Sequence, residues 1–187
     1  MATSVEICNL ALYMVGAERI SSLTENNKRA KICNDIYAIE RDSILGSHPW
    51  NFATKRIEVA KTATTPEFGY EFEYQLPADR LRIIEIEDNE VIEYRIEGDK
   101  LLTDEATIKL EYITREEDTS KYPAYFVDAF AAHLAVKLSY PLVQSNELKT
   151  ELRDHYQIML KNARLYDAQE GSPRQLFKTE WTDARFE

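Results

Sequence analysis

The chain has 187 residues, of which 44% are hydrophobic and 30% charged, a composition that is typical of a folded domain and excludes a disordered chain. No run approaches the roughly 18 consecutive apolar residues of a membrane helix, and the first residues lack a secretory signal. Cys8 and Cys33 fall on predicted apolar helix faces, so we expect buried, reduced thiols and an intracellular site of synthesis.

The net charge of −10 is concentrated in one part of the chain. Residues 56–118 hold 8 Lys and Arg against 18 Asp and Glu, and the remainder is neutral. A protein that grips DNA by its phosphates concentrates Lys and Arg on one face. The distribution therefore argues against sequence-specific or tight DNA binding, and it leaves open an acidic surface past which DNA slides.

Two helices are predicted in the first 50 residues. Thr3 and Glu6 form a capping-box pattern, and apolar residues then recur at helical spacing up to Gly16, a candidate C-terminal glycine. Thr24 is the expected N-cap of the second helix, which must end before Pro49. Its buried side is expected to carry Ile32, Cys33, Ile36, Tyr37 and Ile39, and its outer side Lys28, Lys31, Asp35 and Arg41.

The stretch Ser47–Ala53, with the sequence SHPWNFA, marks a change of period. After it, apolar residues alternate with charged ones, which is typical of antiparallel strands with one buried face, in a sheet or a small sandwich. Turns are expected at Asp88-Asn89 and Gly98-Asp99, and a loop at residues 62–69. The alternating segments are Arg56–Val59, Tyr70–Leu76, Ile84–Glu87, Val91–Ile96 and Ile108–Tyr112.

Helical periodicity returns after Pro123 and predicts two further helices. Pro141 is expected to end the third helix, and Ser145 to cap the fourth, which stops at Gly171. The inward residues of the third helix are expected to be Phe126, Ala129, Phe130, His133, Leu134 and Leu138. Those of the fourth are expected to be Leu148, Leu152, Tyr156, Met159, Leu160 and Ala163.

This order predicts an α+β fold, namely a four-helix bundle with an antiparallel β-module inserted between helices 2 and 3. Residues 1–50 and 120–171 would form the bundle, and residues 51–119 the β-module. Residues 172–187 would form an extended C-terminal arm. Its apolar residues favour packing on another subunit or partner over folding back or fraying; they are Leu176, Phe177, Trp181 and Phe186.

The sequence contains no established catalytic motif. Phosphate-binding glycine loops and a nucleophile elbow are absent from the sequence. His48, His133 and His155 lack zinc-site spacing, so His133 is expected as a hydrogen-bonded core or interface residue and His48 as a turn residue. Paired carboxylates in the β-module are expected to be solvated. We therefore predict no enzyme activity, metal or cofactor; a hydrolase or metalloenzyme with an unrecognised site is the remaining alternative.

Several short motifs occur together in a set order along roughly residues 4–170. They are Asn9–Leu12, Val15–Ala17, Ile20–Leu23, Ala30, Cys33, Tyr37, Leu45, His48–Ala53 and Tyr74–Arg82, the last with the sequence YQLPADRLR. In these motifs the chain resembles the tail tubular protein A family of short-tailed bacteriophages, the head-to-tail adaptors beneath the portal. The arm at residues 172–187 has no counterpart in this resemblance.

The resemblance implies a structural virion protein made in the host cytoplasm. It would form a dodecameric ring that joins the portal to a tail nozzle or tail tube and surrounds the channel for viral DNA ejection. DNA would pass without sequence-specific binding, and no membrane is involved. We expect His48, Pro49, Trp50 and Phe52 at the helix–sheet junction and the apolar residues of the arm at portal or neighbour contacts. The alternative is an intracellular protein-binding or assembly factor outside the particle.

Overall fold

The computed structural model describes residues 2–87 and 92–171 and confirms the α+β class. The helices in this part of the chain are α1 (Ser4–Val15), α2 (Lys28–Gly46), α3 (Ala124–Val143) and α4 (Asn146–Gln169). The strands are β1 (Thr54–Val59), β2 (Phe72–Gln75), β3 (Arg80–Glu87), β4 (Tyr94–Glu97), β5 (Lys100–Thr103) and β6 (Ile108–Thr114). All six strands lie between α2 and α3 in the sequence.

Helix α3 packs against each of the other three helices. It is apolar on most of its circumference, which is the pattern of a helix buried on all sides. By length and composition alone it could cross a membrane, and 56% of its apolar window is buried inside the protein. Its position among α1, α2 and α4 accounts for that composition.

The predicted caps of α1 and α4 are confirmed. Thr3 and Glu6 form the reciprocal capping box, and Gly16 ends α1 in the left-handed conformation with φ 77°. Ser145 caps α4 by accepting a hydrogen bond from the backbone of Leu148. Short polar motifs at these ends therefore set the limits of the helices.

The prediction that Pro141 ends α3 is wrong, because the helix continues to Val143. Proline removes the one intrahelical hydrogen bond of its own N–H, and only two residues of the helix follow it. The helix ends instead where Gln144 adopts a left-handed conformation with φ 58°, and its N–H donates to the Tyr140 carbonyl over 2.9 Å. The Pro141 carbonyl also accepts a 2.6 Å hydrogen bond from Lys28 Nζ of α2.

The start of α2 also differs from the prediction, since Asn27 and not Thr24 is its N-cap. Asn27 Oδ1 accepts from the Ala30 N–H over 2.8 Å. Thr24 lies in a turn, where its N–H donates to Ser22 Oγ and the Glu25 carboxylate accepts from the Ser22 N–H. This local side-chain bonding competes with helix formation and delays it by one turn.

Two residues of α2 lie on the opposite side from that predicted. Arg41, expected outside, is only 8% exposed, and Ile39, expected inside, is 68% exposed. The buried stripe continues from Tyr37 to position 41 and then to Ile44, at steps of four and three residues. Position 41 therefore faces inward whatever residue it carries, and Arg41 is accommodated by ion pairs with Asp42 and Glu117.

The strands form two antiparallel three-stranded sheets, with the orders β1-β6-β3 and β2-β5-β4. An isolated antiparallel bridge pairs Lys61, two residues after β1, with Tyr74 of β2. The sequence did not reveal β5, because Leu101 and Leu102 are both buried and break the alternation. The hairpin turn at Gly98-Asp99 is confirmed, with Gly98 at φ 63°. The turn expected at residues 88–89 lies outside the described residues.

The described residues contain two hydrophobic clusters. The larger one fills the space between the helices and includes Trp50 and, from β6, Ile113. The smaller one lies between the sheets around Tyr74 and Leu101. Strand β6 contributes to both, so it connects the packing of the strands to that of the helices.

Candidate functional site

The turn after α2 places Trp50 at the junction between helices and strands. The Trp50 side chain is 0% exposed, and its Nε1 donates to the Ile44 carbonyl over 3.0 Å. Its ring lies edge-on to Phe126 of α3 and to His48, with centroid distances of 5.1 and 4.7 Å. Such pairs add to the stabilisation from buried area alone, so Trp50 fixes the turn on α3.

Phe52 extends the same aromatic cluster toward the strands. Its ring centroid lies 4.7 Å from that of Phe126 and 5.7 Å from that of Tyr122. The Trp50 carbonyl accepts a 2.7 Å hydrogen bond from Thr54 Oγ1 at the start of β1. Pro49 is exposed on the outside of the turn. The junction residues therefore hold the end of α2 and the beginning of β1 against α3.

Asp167, near the end of α4, completes this junction and was not predicted. Although it is a carboxylate, it is only 2% exposed. Its Oδ1 accepts from the Asn51 N–H over 2.9 Å and from the Tyr125 hydroxyl over 3.3 Å. Its Oδ2 lies 3.2 Å from His48 Nε2. The Asn51 side chain donates to the Asp167 carbonyl over 2.6 Å, so backbone and side chain are both engaged.

The spacing in α4 could have identified Asp167. Leu160 and Ala163 are buried, and position 167 continues their stripe one turn further. Only apolar residues of this helix were expected to face inward, and Ala163 is the last of them. The Asp167 oxygens are occupied by donors of the chain itself, and this favours an anchor for the end of α4 over an acid or base in catalysis.

His133 has the hydrogen-bonded position expected for it. Its Nε2 lies 2.7 Å from Glu40 Oε2, and Lys137 Nζ lies 3.0 Å from the other oxygen of the same carboxylate. The ring of Tyr156 from α4 lies 4.8 Å away. Burial lowers the pKa of His133 more than the hydrogen bond with Glu40 raises it. The group connects α2, α3 and α4.

This lowered pKa predicts a pH dependence of stability. Below about pH 6.5 the unfolded chain takes up a proton at His133 that the folded chain resists. The free energy of unfolding should therefore fall as the pH drops from 6.5 toward the folded pKa, and His133→Gln should flatten the profile in that range. Urea titrations of both proteins at several pH values test this, with His155→Gln as control; parallel profiles for wild type and His133→Gln would contradict it.

Two carboxylates of the β-module are buried, contrary to the expectation that all are solvated. Glu73 is 8% exposed, and its Oε1 lies 2.8 Å from Lys100 Nζ and accepts a 3.0 Å hydrogen bond from Thr64 Oγ1. The hydrogen bond from Lys100 lowers the pKa of Glu73, whereas a general acid needs a raised one. Glu116 is 9% exposed and pairs with Lys121 over 2.7 Å. Both carboxylates therefore have structural partners.

The cysteines also have the surroundings of structural residues. Cys8 and Cys33 are buried and free. A hydrogen bond with the Cys33 thiol, together with burial, raises the pKa of Cys8, which disfavours a nucleophilic thiolate. Within residues 2–87 and 92–171, no group of three or more His, Cys, Asp and Glu side chains could hold a metal ion.

Large apolar side chains are exposed on two of the helices that flank α3. On α1, Tyr13 is 83% and Leu10 40% exposed. On α4, Ile158, Leu165 and Tyr166 are each more than half exposed. Aromatic and aliphatic residues of this kind are enriched as anchors in protein interfaces. These two outer faces are candidate interaction surfaces.

The four predicted contact residues of the arm, Leu176, Phe177, Trp181 and Phe186, lie outside the described residues. No protein-family model and no curated protein sequence matches the chain. The function must therefore be inferred from the residues and the geometry above.

Proposed function

We propose that this chain is a structural virion protein, the head-to-tail adaptor of a short-tailed bacteriophage. Twelve copies would form a ring between the portal and the tail nozzle or tail tube, and DNA would pass through its channel during ejection. Within each copy, α1 to α4 would form a four-helix bundle that carries the strands as an inserted module. The proposal rests on the ordered motifs of the sequence and on the exposed surfaces of the helices.

The observation that carries the proposal is the pair of exposed apolar faces on α1 and α4. In a ring, each subunit offers one surface to the preceding copy and a different surface to the next. Tyr13 of α1 and Leu165 of α4 are both exposed, and in the proposed ring they would belong to the two different surfaces. Burying them between neighbours would remove apolar area from water, at roughly 25 cal/mol per Å².

The acidic β-module fits a channel through which DNA must move. Every residue of β4 is exposed, and the neighbouring Glu93 and Asp99 are exposed too. A negative surface repels phosphates, so it would weaken adhesion of DNA and favour sliding. An outer, solvent-facing position of the same strands is the other arrangement compatible with their charge.

One observation favours the second candidate function, an intracellular binding or assembly factor that uses its sheets. Phe68, in the loop between β1 and β2, is 87% exposed. An aromatic side chain at a loop tip can anchor a partner protein without ring formation. Under this alternative the chain would bind one partner and stay outside the particle.

Mass photometry separates the two candidates. The full chain is mixed with the portal ring encoded by the same phage, and the adaptor proposal predicts a mass increase of twelve chains of 21.7 kDa each. Leu165→Glu should reduce that increase, whereas Asn34→Glu adds the same charge at an exposed position of α2 and should not. An unchanged portal mass with the wild-type chain would contradict the proposal.

Removing the arm provides a further prediction. A chain that ends at Gly171 should keep its fold, because the described helices and strands precede that residue, but it should lose portal docking. The measurements are circular dichroism for the fold and mass photometry for docking. Replacing Leu176, Phe177 and Trp181 together by alanine should reproduce the loss, and Thr179→Ala should not. Unchanged docking of the shortened chain would refute the role of the arm.

A further inference from the structure

An open pocket of about 250 Å³ lies on α4. We call it the α4 pocket; its lining residues are Gln157, Leu160, Lys161, Arg164 and Leu165. Leu160 is 7% exposed and forms the apolar side of the pocket, whereas Leu165 is 54% exposed. The pocket therefore offers apolar surface beside two cationic side chains.

The α4 pocket contains a hydrogen-bond donor without an acceptor among the described residues, the Nε of Arg164. Its Nε is buried and has no hydrogen-bond partner in residues 2–87 and 92–171. Its Nη2 reaches the Ser47 carbonyl only at 3.5 Å, the limit of a hydrogen bond. An unpaired buried donor is unfavourable. A segment that brings both a carbonyl acceptor and an apolar side chain would suit this pocket.

We infer that the occupant is the chain's own arm, residues 172–187, folded back along α4. Lys161 precedes Gly171 by ten residues, which is about 15 Å along a helix axis. Leu176 and Phe177 follow Gly171 by five and six residues, so they reach roughly 17–21 Å when extended. If the chain reverses after Gly171, these two apolar residues come level with Arg164 and Lys161.

The sequence after α4 is suited to such a reversal. Gly171 and Pro173 are residue types common in turns. The carbonyls around Leu176 would lie within reach of Arg164 Nε, and the Leu176 and Phe177 side chains would cover Leu160 and Leu165. A segment tethered this closely has an effective concentration in the millimolar range, so it occupies the pocket before a second copy at micromolar concentration does.

The arm folded back on α4 would also affect assembly, a consequence that rests on the proposed adaptor function. In the free chain, the arm would cover apolar surface of α4. On docking, the arm would leave the α4 pocket for the portal or a neighbour, and α4 would become available at the same time. The affinity of the arm for its own α4 would thus set the threshold for assembly.

Disulfide trapping in the full chain tests the location of the arm. The variant Lys161→Cys with Lys178→Cys is exposed to oxidised glutathione, which takes up the two electrons released as the two thiols join. The matched control is Asn162→Cys with Lys178→Cys. Position 162 is at nearly the same height on α4 but points about 100° away. Both α4 positions are exposed, and the native cysteines are buried.

We expect an intramolecular disulfide to form at least about tenfold faster in the 161/178 variant than in the 162/178 variant, a preference that corresponds to 1.4 kcal/mol. Equal rates, or no disulfide, would overturn the inference. Disulfide-linked dimers as the main product would overturn it in favour of a second copy as the occupant. The test uses the isolated chain, so its failure would leave the portal-binding result, and with it the adaptor proposal, unaffected.

Discussion

Trp50→Ala is expected to lower the free energy of unfolding by about 3–5 kcal/mol, the range for removing a large buried aromatic side chain. Trp50 is 0% exposed and packs on Phe126 and His48, and its Nε1 binds the Ile44 carbonyl. The substitution therefore leaves a cavity where α2, α3 and the first strand meet, and it removes one of the three donors of the Ile44 carbonyl, since the Ser47 N–H and hydroxyl remain. Urea unfolding followed by circular dichroism gives the change.

Phe68→Ala is the matched control for Trp50→Ala, because Phe68 is an aromatic residue that is 87% exposed. Its effect on stability should stay within about 0.5 kcal/mol. Trp50→Phe should give a loss between the two, since it keeps apolar packing but removes the Nε1–H. A change near zero for Trp50→Ala would mean that the junction does not hold the helices and strands together.

Asp167→Ala is expected to destabilise the protein by about 3 kcal/mol, because it removes a buried carboxylate that accepts hydrogen bonds from two partly buried donors and lies beside His48. The Asn51 N–H would lose its acceptor, and the Tyr125 hydroxyl would lose one of its partners. The loss should be localised, so hydrogen exchange should become faster at the end of α4 and in the turn at residues 47–53. Measurement of unfolding free energies together with hydrogen exchange distinguishes this local effect from general destabilisation.

Asp154→Ala is the control for Asp167→Ala, since it removes the same group from an exposed position of the same helix. Its effect should stay within about 0.5 kcal/mol. Asp167→Asn keeps one acceptor oxygen and should be milder than Asp167→Ala. Equal stability of the Asp154→Ala and Asp167→Ala variants would contradict the role of Asp167 as an anchor.

The α+β class and most elements could be predicted from the sequence because local rules determine them. The capping box at Thr3 and Glu6 and the glycine at position 16 set the limits of α1, and alternating residues indicated five of the six described strands. Strand β5 was missed because the neighbouring residues Leu101 and Leu102, whose side chains point to opposite faces of the sheet, are both buried. Their burial is determined by the tertiary structure and leaves no alternation in the sequence.

The errors at polar positions have a common physical cause. Arg41 and Asp167 lie on the buried stripes of their helices, and Glu73 lies on a buried strand position, but all three were expected to be exposed because they are charged. Charged or polar partners from other parts of the sequence satisfy them, and periodicity cannot show those partners. Arg41 pairs with Glu117, and Asp167 with the turn at residues 48–51. The aromatic junction was identified because Trp50 and Phe52 stand at the change of period; its carboxylate partner was not.

The functional proposal depends on whether this chain resides in a phage particle, at the vertex that carries the tail. Electron microscopy of purified particles, with gold-labelled antibody against the chain, tests this directly. The account predicts label at one vertex, between capsid and tail, and averaged images with a twelvefold ring at that level. Particles without label, or label spread evenly over the capsid, would contradict it.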